Sequence, residues 1–222
     1  ATEFRLITIG GAKTQEQGAS VVEALLLHAV DDAPTVDVVL EPNLPGQTAV
    51  ENVPFGAFTA DAAGAGEYLT IDPATLTFGG SALVDINVAD SDAFVSNFQT
   101  TNLSTLAGQK VVLAATGSLE DGTFGLTAFL GLEAETPVAT AGLPISNAAR
   151  LQVVHNSPDP AAAVVDVYAS GLKLIDDFSF RSATPFITVP ADTTLDLNIG
   201  SPDSSDDSDP VVDGPEVRFE AG

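Results

Sequence analysis

The 222-residue chain contains no cysteine, methionine or tryptophan. Without cysteine there is no disulfide framework, no thiolate nucleophile and no Cys-based zinc or iron–sulfur site. Basic residues are scarce: four Arg and three Lys (Lys13, Lys110, Lys173) stand against 20 Asp and 11 Glu, a formal net charge of −24. That balance counts against direct binding to a nucleic-acid backbone or an anionic membrane. No apolar run approaches the roughly 20 residues that span a bilayer, so no membrane insertion is expected. Aromatic platforms are few, with two Tyr and twelve Phe expected mostly in cores, which weighs against a sugar-binding face.

The acidity is not that of a disordered tail, because 45% of residues are apolar and mean hydropathy is +0.25. Short carboxylates occupy the exposed positions that lysine stems usually fill, the pattern of a salt-adapted protein whose self-repulsion is screened at high ionic strength. An ordinary acidic secreted protein is the other reading. The chain starts at Ala1 and has no Met, which fits removal of a signal peptide and fits trimming equally.

Apolar residues come in short β-branched runs punctuated by Gly, Pro, Asp and Asn, with no long stretch of 3.6-residue periodicity, so the expected class is all-β. Strands are expected over Phe4–Ile9, Val21–Ala29, Thr35–Leu40, Glu67–Ile71, Leu83–Val88, Lys110–Thr116 and Phe124–Leu132. A second series covers Arg150–His155, Val164–Ala169, Leu172–Phe178, Pro185–Val189, Thr194–Ile199 and Glu216–Glu220. The Pro- and Ala-rich stretch Glu133–Ala149 reads as a linker.

Either side of it lie two copies of one pattern. Leu25–Val38 (LLLHAVDDAPTVDV) matches Leu151–Val167 (LQVVHNSPDPAAAVVDV): an apolar strand ends in His, an Asp follows four residues on (His28 and Asp32, His155 and Asp159), and a Val-Asp-Val strand resumes at Asp37 and Asp166. Downstream, AVENVPFGAFTA aligns with LIDDFSFRSAT, and EYLTIDPATLTF with PFITVPADTTLDL. The organisation expected is residues 1–20 as leading strand and linker, 21–132 as the first domain, 133–149 as linker and 150–222 as the second domain.

His155–Tyr168 (HNSPDPAAAVVDVY) resembles the strand–His–Asn–Ser–Pro–Asp segment of the family catalogued as domain of unknown function 4397 (DUF4397). His28–Val39 departs from it by replacing Ser-Pro. Val111–Leu130 also looks like that family's domain end and inter-repeat hairpin. The resemblance covers about Val21 to Gly222 and implies tandem, exported, Ig-like β-sandwich domains of the kind found in haloarchaea and bacteria. It carries over no agreed activity and no catalytic residues.

The two copies are unequal at their ends. The first continues through Lys110–Thr116 and Phe124–Leu132, whereas the second reaches only Gly214–Gly222, so its last strand is expected to be missing. A sandwich lacking a strand exposes an apolar groove and a row of backbone groups. The strand-like Phe4, Leu6, Ile7 and Ile9 precede the first copy. Together they suggest strand addition between subunits, head to tail, with the chain pairing with itself into a polymer.

Other chemistry is weakly signalled. One His per copy without a second His or Cys is poor material for a transition-metal site, and a hydrogen bond from each ring to the following turn explains the spacing. No nucleophile elbow or phosphate-binding loop appears, and Ser157 reads as a turn former. Asp203, Asp206, Asp207, Asp209 and Asp213 supply hard oxygen ligands for Ca²⁺, the one cofactor the sequence offers, but match no EF-hand spacing. Asp37 and Asp166 alternate with valines and are expected to face solvent. The expected function is a non-enzymatic extracellular structural subunit of a filament or surface layer. The alternative is an adhesion module binding carbohydrate or cations.

Overall fold

A computed structural model describes residues 20–42, 44, 47–60, 66–91, 93–130 and 145–221. Phe4, Leu6, Ile7 and Ile9 lie outside them. The described chain is all-β, built from eighteen strands and three 3₁₀ turns of three or four residues. It divides into two compact units, residues 1–146 and 147–222.

In the first unit, β1 (Val22–His28), β4 (Ala57–Phe58), β5 (Leu69–Ile71), β8 (Lys110–Thr116) and β9 (Gly125–Leu130) form one sheet, ordered β4–β1–β8–β9 with β5 also on β1. The second sheet runs β10–β7–β6–β2–β3, from β2 (Val36–Leu40), β3 (Thr48–Val53), β6 (Leu83–Val88), β7 (Ala93–Thr100) and β10 (Ile145–Ser146). Of the stretch expected as linker, Ile145 and Ser146 thus pair with Thr100 and Gln99 of this unit, and residues 131–144 lie outside the described ones.

Alternation makes the core. Val22, Ala24 and Leu26 turn inward from β1, Val84 and Ile86 from β6, Phe98 from β7 and Val111 from β8, so the two sheets bury one shared face in a sandwich. Burying each such side chain contributes about 1.5–3 kcal/mol. A cavity of about 60 Å³ remains between the sheets, lined by Leu26, Val84, Leu113 and Phe124 among others. It is too small for a drug-sized ligand.

β1 and β8 run parallel, with Ala24 opposite Val111, Leu26 opposite Leu113 and His28 opposite Ala115. All other described pairings are antiparallel.

The second unit repeats the plan. β11 (Ala149–Leu151) and β12 (Val154–His155) stand where β1 does, pairing with β16 (Ile187–Val189) and β15 (Ser182–Ala183) as β1 pairs with β5 and β4. Its larger sheet is β14–β13–β17–β18, from β13 (Val164–Ala169), β14 (Leu172–Ser179), β17 (Thr194–Gly200) and β18 (Val212–Arg218). Ser170 and Gly171, both at positive φ, make the two-residue turn between β13 and β14. Val165, Val167 and Phe178 form its core with Val153, Ile175 and Ile199.

Candidate functional site

The repeated residues build the same constellation in both units. His28 ends β1 and is 2% exposed; its Nε2–H donates to the Pro34 carbonyl at 2.9 Å, and its Nδ1 accepts from the Val30 N–H at 3.3 Å. His155, 8% exposed, donates from Nε2 to the Ala162 carbonyl at 2.8 Å and accepts at Nδ1 from Ser157 at 3.4 Å. A carbonyl can only accept and an amide N–H only donate, so this network requires the neutral Nε2–H tautomer in both rings. Each ring also meets a phenylalanine edge to face, Phe55 or Phe180, at a centroid distance of 6.1 Å. Both imidazole nitrogens are thus engaged in holding the turn that leaves the strand.

A threonine belongs to the same constellation. Thr59 Oγ1 accepts from the Leu26 N–H, and Thr184 Oγ1 from the Val153 N–H. Neither residue stands out in the sequence; only the alignment of AVENVPFGAFTA with LIDDFSFRSAT points to them.

The paired aspartates diverge. Asp32 reaches across to the β8–β9 turn, where its carboxylate accepts from Ser118 Oγ at 2.7 Å, Leu119 N at 3.0 Å and Glu120 N at 2.8 Å. The Glu120 and Leu119 amides, with the Ser118 hydroxyl, hold its pKa down at about 2. Asp159 instead caps the 3₁₀ turn Pro160–Ala162, accepting from the Ala161 N–H at 2.9 Å.

The Val-Asp-Val aspartates each secure a β-bulge. Asp37 Oδ1 accepts from the Asn52 N–H at 2.7 Å, and Asp166 Oδ1 from the Asp177 N–H at 2.9 Å. Asn52 and Asp177 have φ of 60° and 51°, and the register slips opposite each aspartate. The expected solvent-facing position does not hold for Asp166, which is fully buried. Alternation does turn it away from Val165 and Val167, but Ser204 and the Lys173 side chain cover that face. Lys173 Nζ lies 2.7 Å from Asp166 Oδ2 and 2.8 Å from Asp176 Oδ1, and Ser204 Oγ donates to Asp166 Oδ2 at 2.9 Å. Burial pushes the Asp166 pKa up, yet the bonds from Lys173, Asp177 and Ser204 outweigh it and the net direction is down. Hydrogen bonds to Asp166 and Asp176 raise that of Lys173.

The acidic loop spends its carboxylates separately. Asp206 accepts from the Ser208 hydroxyl and amide, which lower its pKa. Asp207 accepts from Asn198 Nδ2 at 3.4 Å, Asp203 and Asp209 are exposed, and Asp213 lies on β18 opposite Asn198. Among the described residues no group of three or more His, Asp or Glu side chains is arranged to hold a metal ion.

The largest difference between the units lies beside the repeated strand. In the first, β8 covers the edge of β1 from Glu23 to His28. Among the described residues of the second, no strand takes that place along Leu151–His155. Leu151 and Val153 are accordingly only half-buried where their counterparts Ala24 and Leu26 are buried, and Val154 is 64% exposed. Compared with family models, curated proteins and solved structures, the chain matches none.

Proposed function

We propose that the chain is a non-enzymatic extracellular structural subunit that polymerises head to tail by β-strand addition into a filament or surface layer. The observation that supports this reading is the edge Leu151–His155, which no described strand covers, in a unit that otherwise repeats the plan of the first. An edge of this kind is a template for another chain, and main-chain hydrogen bonds with alternating side-chain pockets give such an addition its affinity and register. The strand-like segment Phe4–Ile9 is the donor in this reading. Because the donor and acceptor surfaces differ, the contact is heterologous and propagates unless it closes into a ring. The DUF4397 resemblance agrees with export and with tandem sandwich domains. No described helix is long and apolar enough to cross a membrane.

With a net charge of −24, copies repel one another until salt screens them. Full-length protein imaged by electron microscopy is expected to form polymers in molar salt that loosen on dilution into low salt, and deletion of Ala1–Gly11 is expected to leave folded monomers. Absence of polymers at every salt concentration, or polymers of unchanged abundance after the deletion, would overturn the reading.

A further inference from the structure

The parallel pairing of β1 with β8 fixes what a strand entering the second unit must look like. In the first unit the register sets Glu23 opposite Lys110, Leu25 opposite Val112 and Leu27 opposite Ala114. These pairs point away from the core shared by the two sheets, although Glu23, Leu25 and Ala114 are themselves buried, and they alternate with the core-facing Ala24, Leu26 and His28. Their counterparts in the second unit are Arg150, Gln152 and Val154. A charge has changed sign, an apolar residue has become polar, and one has stayed apolar.

The leading segment Glu3–Gly10 (EFRLITIG) aligns without a gap on Lys110–Gly117 (KVVLAATG), sharing the leucine and the final glycine. These residues lie outside the described ones, and their sequence alone enters here. At the outward positions Lys110, Val112 and Ala114 they have Glu3, Arg5 and Ile7. Each difference between β1 and β11–β12 is therefore answered by a matching one in the incoming segment: Arg150 meets Glu3, Gln152 meets Arg5, and the exposed Val154 meets Ile7. At the core-facing positions Phe4 and Leu6 replace Val111 and Leu113 beside the half-buried Leu151 and Val153. Sliding the segment by two residues one way sets Arg5 opposite Arg150; sliding it the other way sets Arg5 against Val154. Only one register suits all three positions.

We infer that Glu3–Gly10 of a neighbouring copy lies parallel to β11–β12, in the register Glu3–Arg150, Phe4–Leu151, Leu6–Val153, Ile7–Val154, and that the reversed charge at Glu23 and Arg150 directs it to the second unit. This rests on the strand-addition reading and adds its direction, register and selectivity. Opposite charges across neighbouring strands attract and like charges repel. The donor therefore finds a partner at Arg150 and would face a like charge at Glu23 of the first unit. Arg150 is exposed at this edge, its guanidinium 4.9 Å from the Phe186 ring centroid.

The test uses full-length chains at one salt concentration that supports wild-type assembly, with circular dichroism confirming that each variant is folded. Glu3→Lys alone and Arg150→Glu alone are each expected to raise the concentration needed for half-assembly about five- to tenfold. Mixing the two single variants is expected to restore assembly, because each then offers what the other requires; a segment folding back on its own chain would gain nothing from mixing. As a check on register, the cysteine-free chain allows Ile7→Cys and Val154→Cys variants to be mixed and oxidised. A covalent heterodimer is expected, in higher yield than with Ile9→Cys in place of Ile7→Cys. Single charge variants that assemble like wild type, a mixture no better than its components, or no preference for Ile7 would overturn this inference. If deletion of Ala1–Gly11 still abolished polymers, strand addition itself would survive that failure.

Discussion

Asp166 Oδ1 accepts a 2.9 Å hydrogen bond from the backbone N–H of Asp177, a left-handed residue on the neighbouring strand, and Asp37 does the same for Asn52 in the other unit. A one-residue bulge is thereby held by a side chain placed opposite it. The two aspartates differ in what surrounds them, since Asp166 is fully buried and also meets Lys173 and Ser204.

Removing Asp166 should therefore cost much more than removing Asp37. Asp166→Ala leaves the Asp177 amide without its side-chain acceptor and strips Lys173 and Ser204 of their buried partner, leaving them Asp176 and the Ser201 carbonyl, a loss of about 2–4 kcal/mol. Asp37→Ala forfeits one hydrogen bond, about 1 kcal/mol. Native-state hydrogen exchange checks both, read on β13 and β14 for the first variant and on β2 and β3 for the second.

The histidines are expected to behave as structural residues. His28→Ala and His155→Ala should each destabilise their own unit by about 2–4 kcal/mol, through the space left beside Phe55 or Phe180 and the two backbone groups released. Phe at either position should still cost about 1–3 kcal/mol, since it restores the volume but not the hydrogen bonds. Urea unfolding followed by circular dichroism distinguishes the two; a neutral His→Phe exchange would contradict the hydrogen-bonding role.

Acid should loosen the β8–β9 turn before the strands beside it. The Asp32 pKa is depressed to about 2, so its stabilising effect is fully present above the ordinary carboxylate value near pH 4 and is lost as pH falls through about 2. The amides of Leu119 and Glu120 should exchange faster across that interval, and Asp32→Asn should flatten the dependence. Nuclear magnetic resonance titration of the Asp32 carboxyl tests the same sign directly.

Class and repeat were legible in the sequence because short β-branched runs, turn residues and the His-to-Asp spacing are local signals. The expected strands over Lys110–Thr116 and Val164–Ala169 coincide with β8 and β13 for that reason. Five strands escaped notice: the two-residue β4, β10 and β15, and the longer β3 and β7. β3 is an edge strand, mostly exposed and bulged at Asn52, so its Thr-Ala-Val-Glu-Asn-Val lacks clean alternation. β7 carries Asn97 buried beside Phe98. The cover over Asp166 was not legible either, because Ser204 arrives from a distant loop that composition alone marks as solvated. Glu41 is similar: it is 3% exposed and accepts from the Leu83 and Thr77 amides, partners its local sequence does not announce.

The parallel ladder between β1 and β8 also bears on the order of folding. Strand β1 leaves the ribosome long before Lys110 does, and loop-closure entropy delays so distant a pairing. Throughout that interval a half-made first unit exposes the counterpart of the edge that no described strand covers along Leu151–His155. A crowded population of nascent chains would then offer every stray strand a decoy. Glu23 stands at that decoy from the start, and its carboxylate would turn away an acidic strand until β8 arrives to close the edge.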